Sequence, residues 1–184
     1  SRGYRVGLIS QPDWHDVEAF KILGKPRLGI LITAGNLDSM LSEKTAAKKI
    51  RNTDSYSPCG KAGRRPERAT IVYANRMREA YKDVPIIIGG IESSLRRFAH
   101  YDYWSDKVRH SMLLDSKADI LSYGMGENSV AQIADALAEG KTTAEMYNIR
   151  GICYVTGKTP NIKDSVFCPS YEEVKADKHK FAEA

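Results

Sequence analysis

The feature that most constrains this fold is the alternation of short apolar runs with segments of helical periodicity. Short continuous apolar runs are typical of parallel strands that are covered by helices on both faces of a sheet. We therefore predict an α/β fold with a doubly wound, mainly parallel sheet of about five strands. The strands are expected at residues 4–10, 27–33, 84–89, 119–123 and 149–156.

Two segments have apolar residues spaced by three and four, as one buried face of a helix requires. The first follows Pro66, which suits the first turn of a helix, and the second ends at Gly140. Their apolar positions are Ala69, Val72, Tyr73, Met77 and Ala80 in the first, and Val130, Ile133, Ala134 and Leu137 in the second. We expect both helices to pack on the sheet.

A hydroxyl residue followed three positions later by glutamate is the spacing of a capping box, which begins a helix. This spacing occurs at Thr142 with Glu145 and at Ser170 with Glu173. The last helix is predicted to run from Tyr171 to the chain end, so we divide the chain into a domain over residues 1–168 and a helical segment over 169–184 that leads to a further domain. Gly3 is predicted to close an earlier helix, which implies an upstream strand and helix.

The composition excludes several classes of protein. In 184 residues no apolar stretch reaches the ~18 that a membrane span needs, so no membrane contact is expected. The three cysteines, Cys59, Cys153 and Cys168, are too few and too scattered for a disulfide framework, and a reducing cytoplasm fits them best. The four histidines have no spacing typical of a zinc site, so we predict no metal in this chain.

The positive charge is concentrated in one part of the chain. Residues 44–82 contain eleven basic and three acidic side chains, a local charge of +8 within a net charge of +5. Such a segment can attract phosphates by releasing their counterions, and with the aromatic residues of 96–104 it can form an RNA- or nucleotide-binding module. It can equally be a solvated loop and helix face.

Three glycine-rich loops follow predicted strands, and in an open parallel sheet the ligand site lies at these carboxyl ends. The residues singled out in them are Gly35, Asn36, Gly89, Gly90, Glu92, Ser93, Gly124, Gly126 and Glu127. Glycine lets backbone amides approach a ligand closely, although tight strand-to-helix turns need glycine in any case. The third loop departs from a dinucleotide fingerprint, because Ser129 replaces its last glycine.

Directly after the second loop, residues 96–104 combine two arginines, a histidine and four aromatic rings. The candidate contact residues are Arg96, Arg97, His100, Tyr101 and Asp102. Such a set can stack on planar groups and grip a carboxylate or phosphate, and His100 with Asp102 can form an acid–base pair. A helix whose aromatic rings pack on the core is the alternative. We expect both arginines to be exposed and their removal to change stability by under about 0.5 kcal/mol each.

The run GGIESSLRRFAHYDYWSDKVR at 89–109, with YGMGE at 123–127, closely resembles the N-terminal domain of YgiQ-type radical SAM proteins. QPDW at 11–14 and TAGNLDSM at 33–40 are similar to the same family. The resemblance implies a Rossmann-like domain, similar to cobalamin-binding domains, that precedes a radical SAM barrel. The partner it implies is that downstream domain of the same polypeptide, acting on an unknown substrate.

The resemblance also implies cofactors for the full-length protein, namely a [4Fe-4S] cluster and S-adenosylmethionine. A CxxxCxxC motif would hold the cluster, and this chain has none, so we expect no cofactor and no independent catalysis here. Cobalamin is not expected either, because Glu18 stands where the DxHxxG loop begun by Asp13 and His15 requires glycine. The predicted role is to cover the mouth of the barrel and help bind substrate, with purely structural docking as the alternative.

Overall fold

The computed structural model describes residues 2–158 and 162–184. The strands are β1 (Ile30–Ile32), β2 (Ile86–Ile88), β3 (His100–Asp102), β4 (Lys107–Arg109), β5 (Ile120–Ser122) and β6 (Ile152–Tyr154). The central sheet has the order β1-β2-β5-β6, while β3 and β4 form a separate antiparallel hairpin. In the sheet β1, β2 and β5 are parallel, and β6 pairs with β5 in the antiparallel direction.

Seven α-helices occur in the described residues. They are α1 (Ser39–Glu43), α2 (Ala69–Ala80), α3 (Gly90–Leu95), α4 (Met112–Ser116), α5 (Glu127–Ala138), α6 (Tyr171–Ala176) and α7 (Lys178–Glu183). Short 3-10 helices lie at Val17–Phe20, Pro58–Gly60 and Thr143–Glu145. The predicted capping boxes are both present, one at Thr143–Glu145 and the other at the start of α6.

The sheet is covered on both faces, as its apolar runs predict. Ile86 and Ile88 of β2 belong to a buried cluster with Ala74 of α2. Ile87, between them in sequence, belongs to a second cluster with Ile133 of α5. Successive residues of a strand point to opposite faces, so β2 is buried by both layers. Each such isoleucine contributes roughly 1.5–3 kcal/mol by leaving water. The doubly wound α/β class is confirmed.

The first predicted strand is not formed. Residues 4–10 join no sheet, and Val6 and Leu8 are each more than 80% exposed. A strand requires hydrogen bonds to a neighbouring backbone, and none of the described strands pairs with this segment. The last predicted strand exists as β6, although its antiparallel direction departs from the mainly parallel pattern.

Residues 100–109 form the β3–β4 hairpin, and not the helix that the sequence left open as the alternative for the aromatic segment. One further element differs from the sequence prediction. The C-terminal helix is broken at Asp177, whose carboxylate accepts a hydrogen bond from the backbone of His179 and caps α7. Helix α6 lies against the domain, since Val174 is buried and the Tyr171 ring stacks on His110 at 3.5 Å between centroids.

Candidate functional site

The structure brings the three glycine-rich loops together at the carboxyl ends of β1, β2 and β5. The backbone of Gly124, in the third loop, donates a hydrogen bond of 3.1 Å to Ser94 Oγ of the second. In the first loop Thr33 Oγ1 accepts a hydrogen bond from the backbone of Gly35, also at 3.1 Å. Asn36, Gly124 and Glu127 are exposed here. The predicted edge therefore exists as one continuous surface.

Gly90 is the position where the close approach of the first and second loops requires a glycine. Its φ is +79°, a left-handed conformation that other residues rarely adopt. A Cβ at this position would lie 2.3 Å from Thr33 Oγ1, so the second loop could not approach the first. Close packing between loops accounts for Gly90, whereas Gly35 and Gly124 have open space around their Cβ positions.

Glu92 is placed differently from the ligand-binding role that its loop suggested. Its side chain is buried, and its two carboxylate oxygens accept hydrogen bonds from the backbone of Ser39 at 2.7 Å and of Thr70 at 3.2 Å. These amides lie in the first turns of α1 and α2, where backbone donors have no partner within the helix. Ser93, the next residue, is also buried. Glu92 therefore joins two helix starts inside the domain.

Arg96 is also mostly buried, which corrects the expectation of an exposed arginine. Its guanidinium forms an ion pair with Asp38, the buried residue whose carboxylate caps α1. This burial removes the basis for expecting a nearly neutral Arg96→Ala change, and we now expect a larger loss of stability, because a buried carboxylate would lose its charged partner. The sequence signal for Asp38 was its position just before Ser39, where an N-cap is expected.

Arg97 is partly buried rather than exposed, and its contacts belong to the second and third loops. Its guanidinium carbon is 4.9 Å from the ring centroid of Phe98 and 5.1 Å from that of Tyr123. It also donates a hydrogen bond to the backbone oxygen of Ser94. A guanidinium carries several N–H donors, so one that contacts aromatic rings and bonds to Ser94 keeps further donors for a carboxylate or phosphate. Arg97 is thus the cation that best matches the predicted binding role.

The two residues of the acid–base pair have different hydrogen-bond partners, although both lie on β3. Asp102 is buried, and its Oδ2 accepts from Arg68 at 2.5 Å and from the Ser105 hydroxyl at 2.5 Å. Burial alone would raise the pKa of Asp102, but the hydrogen bonds from Ser105 and Arg68 lower it. The Nδ1 atom of His100 lies 3.1 Å from the backbone oxygen of Phe98 instead. Tyr101, on the exposed side, donates to Asp106 at 2.5 Å.

His100 makes the stability of the domain sensitive to pH. Its burial lowers its pKa from 6.5, so folding favours the neutral imidazole. The unfolded chain binds a proton first as the pH falls through 6.5, and the free energy of unfolding should therefore decrease between pH 7 and the lowered folded pKa. Urea unfolding across this range measures the effect. His100→Gln should flatten that slope, whereas an unchanged slope would assign it to another group.

The basic segment is largely occupied by internal contacts. Five of its side chains form ion pairs: Lys44 with Glu67, Arg65 with Asp54, Arg68 with Asp102, Arg76 with Glu79, and Arg78 with Asp119. The pair of Arg65 and Asp54 is buried and bidentate, with two bonds of 2.8 Å. Nucleic-acid binding by this segment stays a prediction, and these contacts give it no support.

The cysteines do not fit an iron–sulfur cluster. Cys59 and Cys168 are exposed in separate loops, and Cys153 lies within β6, where burial raises its pKa. A cluster ligand must be a thiolate, which a raised pKa disfavours. Within residues 2–158 and 162–184, no group of three or more histidine, cysteine or acidic side chains is arranged to hold a metal ion.

Four exposed apolar side chains lie in or next to the glycine loops. Only Phe98 belongs to the aromatic segment 96–104 that the sequence indicated, whereas Ile91, Leu95 and Met125 were not among the candidate residues. Ile91 and Leu95 lie on α3, Phe98 follows that helix, and Met125 lies at the tip of the third loop, 87% exposed. We call Ile91, Leu95, Phe98 and Met125 the apolar rim. Exposed apolar residues grouped around polar loops are typical of a surface that binds another protein or domain.

An open, mainly parallel sheet with converging loops at its carboxyl ends defines a doubly wound α/β domain, a class in which ligands usually bind at that edge. The comparison with known families agrees with this class and is specific. The chain belongs to the Radical SAM N-terminal family, which it matches over residues 1–184. The family resemblance seen in the sequence is thereby confirmed.

Within the described residues no helix has both the length and the apolar character needed to cross a membrane.

Curated relatives place this chain within longer proteins. It is 53% identical over 182 residues to a UPF0313 protein of Clostridium botulinum (strain ATCC 19397 / Type A), covering 99% of this chain and 28% of that protein. A UPF0313 protein of Clostridium perfringens (strain 13 / Type A) is also 53% identical over 182 residues, with 98% and 28% covered. No solved structure matches the chain.

Proposed function

We propose that this chain is the accessory domain of a radical SAM protein, where it covers the mouth of the catalytic barrel and helps to bind or select the substrate. The observation that carries the proposal is the surface at the carboxyl ends of the strands. There the apolar rim lies beside the exposed loop residues Gly35, Asn36 and Gly124 and beside the guanidinium of Arg97, which contacts the Tyr123 ring. Apolar area suits contact with the barrel, and Arg97 suits an anionic group of the substrate.

The catalytic cofactors belong to the remainder of the longer protein in this proposal. A [4Fe-4S] cluster binds S-adenosylmethionine there and supplies the radical chemistry. The residues of this chain contribute contacts rather than cluster ligands, since its cysteines lie in three separate parts of the chain. Free thiols persist in a reducing compartment, so we also assign the protein to the cytoplasm.

The test uses the full-length protein with substitutions in the apolar rim. Leu95→Asp and Met125→Asp place a charge where we expect contact with the barrel, and burying an unpaired charge is costly. Reductive cleavage of S-adenosylmethionine should fall by about tenfold or more, as a loss of about 1.4 kcal/mol or more of stabilisation implies. Leu114→Asp, at a leucine of α4 that is 50% exposed, is the matched control and should retain cleavage.

Arg97 distinguishes substrate binding from structural docking. If Arg97 contacts the substrate, Arg97→Ala should reduce product formation while S-adenosylmethionine cleavage without substrate stays normal. Arg97→Lys should restore little, because an ammonium cannot reproduce the stacked, planar donor group. If Arg97→Ala forms product normally while Leu95→Asp and Met125→Asp lose S-adenosylmethionine cleavage, the domain only docks on the barrel and does not bind substrate through Arg97. Wild-type behaviour in both rim variants would refute the proposal.

A further inference from the structure

The outer edge of β1 is open in the described residues. In the sheet, strand β1 is paired with β2 alone. The Ile30 amide donates a hydrogen bond to the Pro85 carbonyl, and the Ile32 carbonyl accepts one from the Gly89 amide, so Ile30 and Ile32 face β2. In a parallel pair the alternate residue directs its amide and carbonyl to the other side. Leu31 therefore presents both groups outward, and its side chain is 57% exposed. Open edges of this kind are templates for a further strand.

The segment 4–10, which we call the N-terminal arm, lies near this edge without joining it, since Leu8 and Leu31 line the same cleft. It is held at both ends. The Tyr4 hydroxyl donates to Asp135 of α5 at 2.7 Å, and Gln11 Nε2 donates to the backbone oxygen of Tyr56 at 2.7 Å. Between these anchors Val6 and Leu8 are more than 80% exposed. The arm thus has the apolar side chains of a strand, yet lacks a ladder of hydrogen bonds.

A cleft of about 340 Å³ separates the arm from β1. Leu8 and Ile9 line one side, and Leu31, Ile32 and Thr33 line the other. An extended backbone placed in this cleft could bond to Leu31 on one side and to the arm on the other. It would also cover the exposed side chains of Leu8 on the arm and Leu31 on β1.

We propose that this cleft takes a β-strand from the part of the longer polypeptide that precedes residue 1, which pairs with β1 and with the N-terminal arm. The relatives are far longer than this chain, which covers 28% of each, so they contain chain outside the matched residues. Residues 11–29 connect the arm to β1 and are already placed, with Val17–Phe20 as a 3-10 helix. They cannot supply the strand.

The direction of the chain supports this choice of occupant. Consecutive strands of such folds are usually neighbours, joined through a helix that crosses over the sheet. Gly3 has a φ of +79°, the left-handed conformation in which a glycine ends a helix, and it stands directly before the arm. A preceding strand, a crossover helix ending at Gly3, and the arm form one such unit. The central sheet then extends by two strands.

Hydrogen exchange of the full-length protein tests the inserted strand. We expect the amide of Leu31 and alternate amides of the arm to exchange at least 100-fold more slowly than unstructured amides, because a central ladder protects them. Exchange at the unstructured rate at these positions would overturn the proposal. Protection that weakens on dilution would also overturn it, since a second copy of the protein would then fill the cleft.

Cysteine pairs exclude the remaining alternative, in which the arm itself moves onto β1. A disulfide requires Cα atoms within about 7 Å, whereas two strands on either side of a third are about 9.6 Å apart. In the full-length protein, Leu8→Cys with Leu31→Cys should therefore stay reduced under mild oxidation. Rapid formation of that disulfide would show direct pairing and refute the inserted strand. This result is independent of the role assigned to the apolar rim.

Discussion

Replacing Asp54 by alanine is expected to lower the free energy of unfolding by about 3–5 kcal/mol, because it leaves a buried guanidinium without its partner. Both side chains of the Arg65–Asp54 pair are less than a tenth exposed. Asp54 also accepts hydrogen bonds from the Ser57 hydroxyl at 2.7 Å and from the backbone of Tyr56 at 2.9 Å. Urea unfolding followed by tryptophan fluorescence measures the loss.

Asp83 is the matched control, since its carboxylate is exposed and lies 3.9 Å from Lys25. Asp83→Ala should change the same free energy by less than about 1 kcal/mol, as exposed ion pairs contribute little. Burial would raise the pKa of Asp54, but the bonds from Arg65 and Ser57 lower it below 3.8. The stabilisation is therefore present above pH 3.8 and is lost as the pH falls through the lowered folded value. An Asp54→Ala loss no larger than that of Asp83→Ala would contradict this account.

Replacing Glu92 by alanine is expected to cost about 2–6 kcal/mol, because each buried amide left without an acceptor costs about 1–3 kcal/mol. The two amides belong to Ser39 and Thr70, so the starts of α1 and α2 would both lose a partner. Glu92→Gln should cost less, since its single carbonyl oxygen can still accept from one of them.

Glu127 provides the comparison for Glu92. It also lies in the first turn of a helix that follows a glycine loop, but its side chain is exposed. Glu127→Ala should cost only about 0.3–1 kcal/mol, the usual contribution of a first-turn carboxylate. Equal losses for Glu92→Ala and Glu127→Ala in thermal or urea unfolding would show that burial of Glu92 does not matter.

The sequence predicts the buried part of the sheet well, for a physical reason. The runs at 86–88 and 120–121 are apolar at every position, and only a strand covered on both faces satisfies them. Residues 4–10 also contain apolar side chains, namely Val6, Leu8 and Ile9, yet their sequence does not show whether a neighbouring backbone is present. Strand pairing depends on distant parts of the chain, so local pattern could not predict this outcome.

The site is predicted less completely, because the sequence does not show which way a side chain faces. Glu92 and Glu127 both follow glycine loops, but one enters the interior and the other stays in water. Arg96 and Arg97 are adjacent, and one pairs with Asp38 while the other stacks on Tyr123. The positions of the loops followed from the parallel sheet, whereas the partner of each residue required the packed structure.

The most direct test of the central claim is an experimental structure of the full-length protein. We expect the apolar rim of Ile91, Leu95, Phe98 and Met125 to be buried against the catalytic barrel, with Arg97 facing its mouth. A barrel that contacts a different face of this domain, leaving Leu95 and Met125 as exposed as they are in this chain, would contradict the proposed function.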